Sequence, residues 1–255
     1  MIKKAIIVSF TFFALSLGTL YTAYQDRDLL TDPANDAVVV LELFTSQGCS
    51  SCPPADALLE QVKEAYPNSV FALSYHVDYW DYIGWKDPFG SEKNTERQRM
   101  YAQKFNQRSL YTPEMVINGK EHFVGSNGSV LKEKLQSYLA KTPSVRVSIT
   151  NVLTHQDKIT FSYALSDELI DKRLRAILVL DQKQTQVNRG ENKNRTLRNS
   201  NIVVEEKYLS QNGETGFSSI YIPETILKGD HLSLLLIVEN ENRDVLGASK
   251  KTIDR

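Results

Sequence analysis

An almost wholly apolar, β-branched run, AVVVLELF at 37–44, gives way to a helical pattern that opens on two consecutive prolines, Pro53 and Pro54. The run suits a strand covered on both faces. The following PADALLEQVKEAY repeats apolar residues at spacings of three and four, as an amphipathic helix does. Proline has no N–H and fits only a first helical turn, whose N–H groups lack partners within the helix anyway. The helix must therefore start near Pro53. Cys49-Ser50-Ser51-Cys52 then occupies the strand-to-helix turn, with both cysteines of the chain at the helix N-terminus.

Downstream, SVFALSYHV reads as a second buried strand, and DYWDYIGWKDPFG as an aromatic loop. Ser91 is an N-cap for a helix through about Phe105. EMVINGKEHFVG is a hairpin turned at Asn118-Gly119, and SNGSVLKEKLQSYLA is a capped amphipathic helix. The order strand, helix, strand, helix, hairpin, helix, with a CxxC at the first helix start, predicts an α/β thioredoxin-like domain over residues 37–142. From Pro143 the pattern changes to seven short runs, several of them alternating: SVRVSIT, KITFSYAL, RAILVL, NIVVEEKYL, GFSSIYI, HLSLLLIVE and VLGASKKTI. They predict an all-β sandwich-like domain over 143–255.

Ahead of both lies a segment, 1–36, in which Met1-Ile2-Lys3-Lys4 precedes an uncharged stretch from Ala5 to Tyr24. A basic start followed by an apolar run reads as an export signal, and its length also suits an uncleaved membrane anchor over residues 5–24. Either form predicts a protein exported to the periplasm or the extracellular space, where disulfides are permitted. The chain carries 30 basic and 31 acidic residues, a net charge of −1. It therefore has neither the global field nor the basic stripe of a nucleic-acid partner.

A thiolate at a helix N-terminus is stabilised by free N–H groups and by the positive end of the helix dipole. Cys49 is thus the expected nucleophile and Cys52, a turn inside, the resolving thiol of a thiol-disulfide oxidoreductase acting on protein or small thiols and disulfides. Thr112-Pro113, just before the hairpin, is expected to be a cis bond facing the sulfurs. Glu42, interrupting the first strand, and His76, ending the second, are candidate proton carriers. Each also has a plain structural reading, as a hydrogen-bonded carboxylate and a satisfied core histidine. No cofactor is implied. Zinc needs about four ligands and finds only two cysteines and four scattered histidines. Copper(I) could use two thiolates alone, so a copper(I)-binding chaperone stays open, as do a non-catalytic interaction module and an inert staple. Asp78, Trp80, Asp81, Trp85 and Lys86 populate the aromatic loop, either as packing or as a substrate surface.

ELFTSQGCSSCPPAD, HVDYWDYIGWKDPF, RQRMYAQKF, SLYTPEMVINGK and NRGENKNRTLRNSNIVV together resemble an uncharacterised bacterial family of secreted thioredoxin-like proteins, a domain-of-unknown-function family. The resemblance runs from about residue 37 to the C-terminus. It implies a thioredoxin-like fold with a β-rich domain behind it, supports Cys49, Cys52 and Pro113 as the site, and supplies no substrate. It also draws attention to Arg189, Gly190, Glu191, Asn192 and Arg195. With Lys193 and Arg198 they form a locally basic stretch, either a solvated loop between strands or a patch docked near the cysteine edge, whose arginines can grip carboxylates on a partner or on the aromatic loop at Asp78 and Asp81.

Overall fold

A computed structural model describes residues 37–210 and 213–253. The signal or anchor expected over residues 5–24, and the whole 1–36 segment, lie outside them. The element order is β1 (Val39–Thr45), α1 (Pro53–Ala65), β2 (Val70–His76), a single 3-10 turn (Asp81–Ile83), α2 (Glu92–Lys104), β3 (Glu114–Ile117), β4 (Glu121–Val124) and α3 (Gly128–Leu139). Seven strands follow: β5 (Val147–Thr154), β6 (Lys158–Leu165), β7 (Lys172–Gln186), β8 (Thr196–Leu209), β9 (Thr215–Tyr221), β10 (Leu232–Asn240) and β11 (Val245–Ile253).

The local signals hold. Cys52 is the N-cap of α1, with proline in its first two positions. Ser91 caps α2, its Oγ accepting from Asn94 N at 3.2 Å, and Asn127 caps α3 through Val130 N. Asn118 and Gly119 both take positive φ at the β3–β4 turn. A side chain at Gly119 would place Cβ 1.9 Å from the Arg243 carbonyl, so the turn needs glycine for approach as well as for φ.

The predicted fold class does not hold. The chain is mostly β, with one eight-stranded mixed sheet, order β11-β10-β7-β8-β2-β1-β3-β4, a three-stranded sheet β5-β6-β9, and three helices among the described residues. It is neither a thioredoxin-like α/β domain nor a separate sandwich behind one. Four of the seven later strands extend the sheet begun by β1 to β4, through a parallel contact at Ser74 and Ile202 between β2 and β8. Only β5, β6 and β9 form a second layer.

The reason lies in which faces the strands bury. β7 and β10 are apolar on both faces, so each must be covered twice. Leu174, Leu178, Leu234 and Leu236 pack under the three-stranded sheet. Ile177, Val179, Leu235 and Ile237 point the other way and share a core with Phe44, Phe71, Tyr75 and Tyr101. That core draws on residues from both sides of Pro143. Helices α1 and α3 cover the opposite face of β1 to β3, over Leu41, Leu43, Ala72 and Met115.

Candidate functional site

Cys49 and Cys52 are joined as a disulfide, with Cα atoms 5.5 Å apart. The turn is tied by backbone bonds from Cys49 N to Ser46 O and from Cys52 N to Cys49 O, and Ala55 N and Asp56 N then bond to Cys52 O to start α1. Ser51 Oγ lies 3.4 Å from Cys49 Sγ. Ser50 and Ser51 are exposed, yet both cysteines are 0 % exposed.

The cover comes from the far half of the chain. Strands β7 and β8 continue beyond the rest of the sheet as a two-stranded arm, paired from Gln182–Ser200 out to Gln186–Thr196. The arm leans on α1: Gln182 and Arg198 both donate to Glu60 Oε1, at 2.8 and 2.7 Å. At its tip the buried Asn192 amide donates to Gln47 O (3.0 Å) and Cys49 O (2.9 Å), while Ser50 N donates to Glu191 Oε2 at 2.9 Å. Arg195 Nη1 donates to Asn192 Oδ1 at 2.7 Å and so orients that amide. Gly190 takes φ +72°, which strains any side chain, and a Cβ there would also press on Ile83 Cδ1 at 3.0 Å. The stretch docks at the cysteine edge as the sequence suggests, but its contacts there come from Glu191 and Asn192. Among the described residues no ion pair joins its arginines to Asp78 or Asp81.

The aromatic loop closes the remaining side. Trp80 Nε1 donates to Thr112 Oγ1 at 2.8 Å, and Trp85 Nε1 to Gln47 Oε1 at 3.3 Å. The Thr112–Pro113 bond is cis. Pro113 is buried beside the first turn of α1: a methyl placed on Gly125 would meet Pro113 Cβ at 3.2 Å and Ala55 Cβ at 3.3 Å. Cys49, Cys52, Thr112 and Pro113 thus belong to one neighbourhood.

Strand alternation separates the two proton-carrier candidates. Leu41 and Leu43 face α1, so Glu42 faces away, into a buried ionic cluster on the α2 side of the sheet. Its carboxylate is gripped by Arg97 Nε and Nη2 and by Arg175 Nη2, each at 2.7 Å. Arg97 and Arg175 also reach Glu206 and Glu239, at 3.2 to 3.7 Å. Burial raises the Glu42 pKa, but the two guanidiniums outweigh it and hold the group at about 2. A carboxylate so placed stays ionised and lies across the sheet from α1. The proton-carrier expectation for Glu42 gives way to a structural one.

His76 is on the α1 side. Its Nδ1 lies 2.7 Å from Asp87 Oδ2, both side chains wholly buried. Asp87 Oδ2 also accepts from Gln47 N at 2.7 Å, and Oδ1 from Phe89 N at 3.0 Å. Burial opposes a charged imidazole, but Asp87 prevails and raises its pKa. The reciprocal attraction of His76 lowers that of Asp87 against its own burial. Asp56, in the first turn of α1, completes the group. Burial pushes its pKa up to about 6 against the attraction of His76. Thr45 and Asn199 approach its carboxyl, yet Oδ1 has no hydrogen-bond partner, and neither has His76 Nε2. Sequence reasoning missed Asp56 and Asp87. Position offered one signal for Asp56: four residues after Cys52, it shares that residue's helical face.

Among the described residues no three His, Cys, Asp or Glu side chains cluster closely enough to hold a metal ion. No helix among them is long and apolar enough to cross a membrane.

The sequence profile of a family described as "Protein of unknown function (DUF1223)" matches residues 40–239. No curated protein matches the chain. Among solved structures it is similar to protein AGR_C_4864 from Agrobacterium tumefaciens, at 26 % identity and a TM-score of 0.63, over 87 % of this chain and 100 % of that one. A β-glucosidase from Kluyveromyces marxianus aligns with 49 % of this chain and 16 % of its own, at 13 % identity and a TM-score of 0.21, which is too slight a likeness to carry weight.

Proposed function

The chain belongs to the DUF1223 family, whose description supplies no activity, and we propose from the site itself that it is a thiol-disulfide oxidoreductase working through Cys49 and Cys52. The observation that carries this reading is a disulfide set at the start of α1, where the helix stabilises a thiolate, with Ser51 Oγ 3.4 Å from Cys49 Sγ. Cys49 is the attacking sulfur and Cys52 the resolving one. Thr112 and Pro113 form the adjoining wall. The partners are proteins or small molecules carrying thiols or disulfides. The basic and then apolar N-terminal run supports a place outside the cytoplasm, in the periplasm or beyond it, where such a pair meets oxidised substrates.

Full burial of both sulfurs favours a second reading, a static staple. Against it, closing so short a loop contributes little to stability by the chain-entropy argument. Reactivity of the native protein separates the two. On the redox reading, dithiothreitol reduces the folded protein, the reduced protein reduces a disulfide substrate, Cys49→Ala abolishes this, and Cys52→Ala accumulates a mixed disulfide at Cys49. Sulfurs that react only after denaturation make the bond a staple.

A further inference from the structure

We propose that Asp56 is the proton acceptor for Cys52, with the buried His76–Asp87 pair behind it as its counter-charge. The inference rests on the redox reading of the cysteine pair and deepens it.

Cys52 is wholly buried, so a carboxylate beside it inside the fold meets its proton before bulk water does. Asp56 is placed for this, one helical turn after Cys52, with its backbone N bonded to Cys52 O at 3.1 Å. It is 7 % exposed, and its Oδ1 is buried with no partner. A buried carboxyl oxygen left unpaired costs stability and calls for an explanation. The charged groups acting on it are His76 from β2 and Asp87 from the aromatic loop, while Thr45 of β1 and Asn199 of β8 contribute neutral dipoles. His76 Nε2 is buried and also lacks a partner. Asp87 reaches the cysteine turn directly by accepting from Gln47 N. The cluster thus touches the turn from behind, while the arm covers it in front. Burial holds Asp56 near pH 6, within the range where a carboxylate exchanges protons at neutral pH.

The reduced Cys49 thiolate attacks a partner disulfide, breaking its S–S bond, and the first partner sulfur leaves as a thiolate that solvent protonates. Cys49 is now in a mixed disulfide. Cys52 gives its proton to the Asp56 carboxylate, and its sulfur attacks Cys49 Sγ. The Cys49–partner bond breaks, the second partner thiolate leaves, and Asp56 returns its proton to that sulfur or to solvent. Two electrons pass from the cysteine pair to the partner, which ends as two thiols.

The test uses the reduced protein with the aromatic disulfide dithiobis-nitrobenzoate. Attack by Cys49 releases one chromophore and resolution by Cys52 releases the second. Both phases are followed between about pH 5 and 9. In the native protein the second phase should fall away on the acid side. In Asp56→Asn that limb should vanish and the second phase should slow on the order of a hundredfold near neutrality, the first phase being unchanged. A second phase with the native rate and profile in Asp56→Asn overturns the proposal. Infrared titration of the native protein gives an independent reading: Asp56 should titrate differently in the disulfide and dithiol forms, and identical titration overturns the proposal without any variant. An absent first phase in the native protein defeats the redox reading, and this inference with it.

Discussion

At the scale of single residues, two buried carboxyls sit on opposite faces of one sheet, and their surroundings set them to opposite tasks. Glu42 meets two arginines and is held at about 2, against an ordinary 4.5. A depressed folded-state pKa means the stabilisation is fully present above pH 4.5 and is lost as pH falls toward 2. The ledger is worth about 3 kcal/mol at 1.36 kcal/mol per unit. Glu42→Ala should cost more, about 3–5 kcal/mol, because it strands Arg97 and Arg175 in the core; denaturant titration measures it. Asp56 is the reverse case. Its folded-state pKa of about 6 exceeds the ordinary 3.8, so its burial destabilises the fold as pH rises from 3.8 through 6. Asp56→Asn should therefore stabilise the protein at about pH 8 by on the order of 2 kcal/mol, even as it slows resolution. A fall in melting temperature there would show that the carboxylate is structurally needed. Sequence alone singled out Glu42 because a charge in an apolar run is conspicuous. Asp56 sits in an unremarkable first turn, where acids are common, and what sets it apart comes from β2, β8 and the loop at Asp87.

At the scale of elements, all seven later strands lie where the short apolar and alternating runs put them, and the helix caps are legible because each depends on a few neighbouring residues. The outer halves of β7 and β8 were not legible. Lys183, Gln184, Thr185 and Gln186 look like loop, and they are strand because the arm they build is paired with Thr196–Asn199 and rests on α1. The arm's tip carries a separate prediction. Asn192→Ala removes both bonds to the cysteine turn, at a cost of about 1–3 kcal/mol. It should also expose the sulfurs, so that dithiothreitol reduces the native disulfide about tenfold faster or more, the tip's docking energy having held the closed state. Arg195→Ala, which only loosens the Asn192 side chain, should move the same rate by less. An Asn192→Ala protein reduced at the native rate would show that the tip does not control access.

At the scale of the whole molecule, the division near residue 142 is one of sequence pattern, and the sheet and core run across it. Strand patterns show which faces a strand buries but not which sheet it joins, since β10 needs two covering layers and is indifferent to where they come from. The ionic cluster shows how far the halves depend on each other. Glu42, Tyr75 and Arg97 come from one side, and Arg175, Glu206, Tyr208 and Glu239 from the other. A chain ending at Thr142 would leave Arg97 and Glu42 without Arg175 and Glu239. It would also open the β2 edge and uncover Phe44, Phe71, Tyr75 and Tyr101. An apolar face joined to an unpaired edge favours association over folding. The shortened chain should therefore be insoluble or unfolded, and the full chain should unfold in one calorimetric transition whose van't Hoff and calorimetric enthalpies agree. Two separated transitions, or a soluble and cooperatively folded 37–142 fragment, would show that the first half carries its own core and that the shared sheet is a contact between finished units.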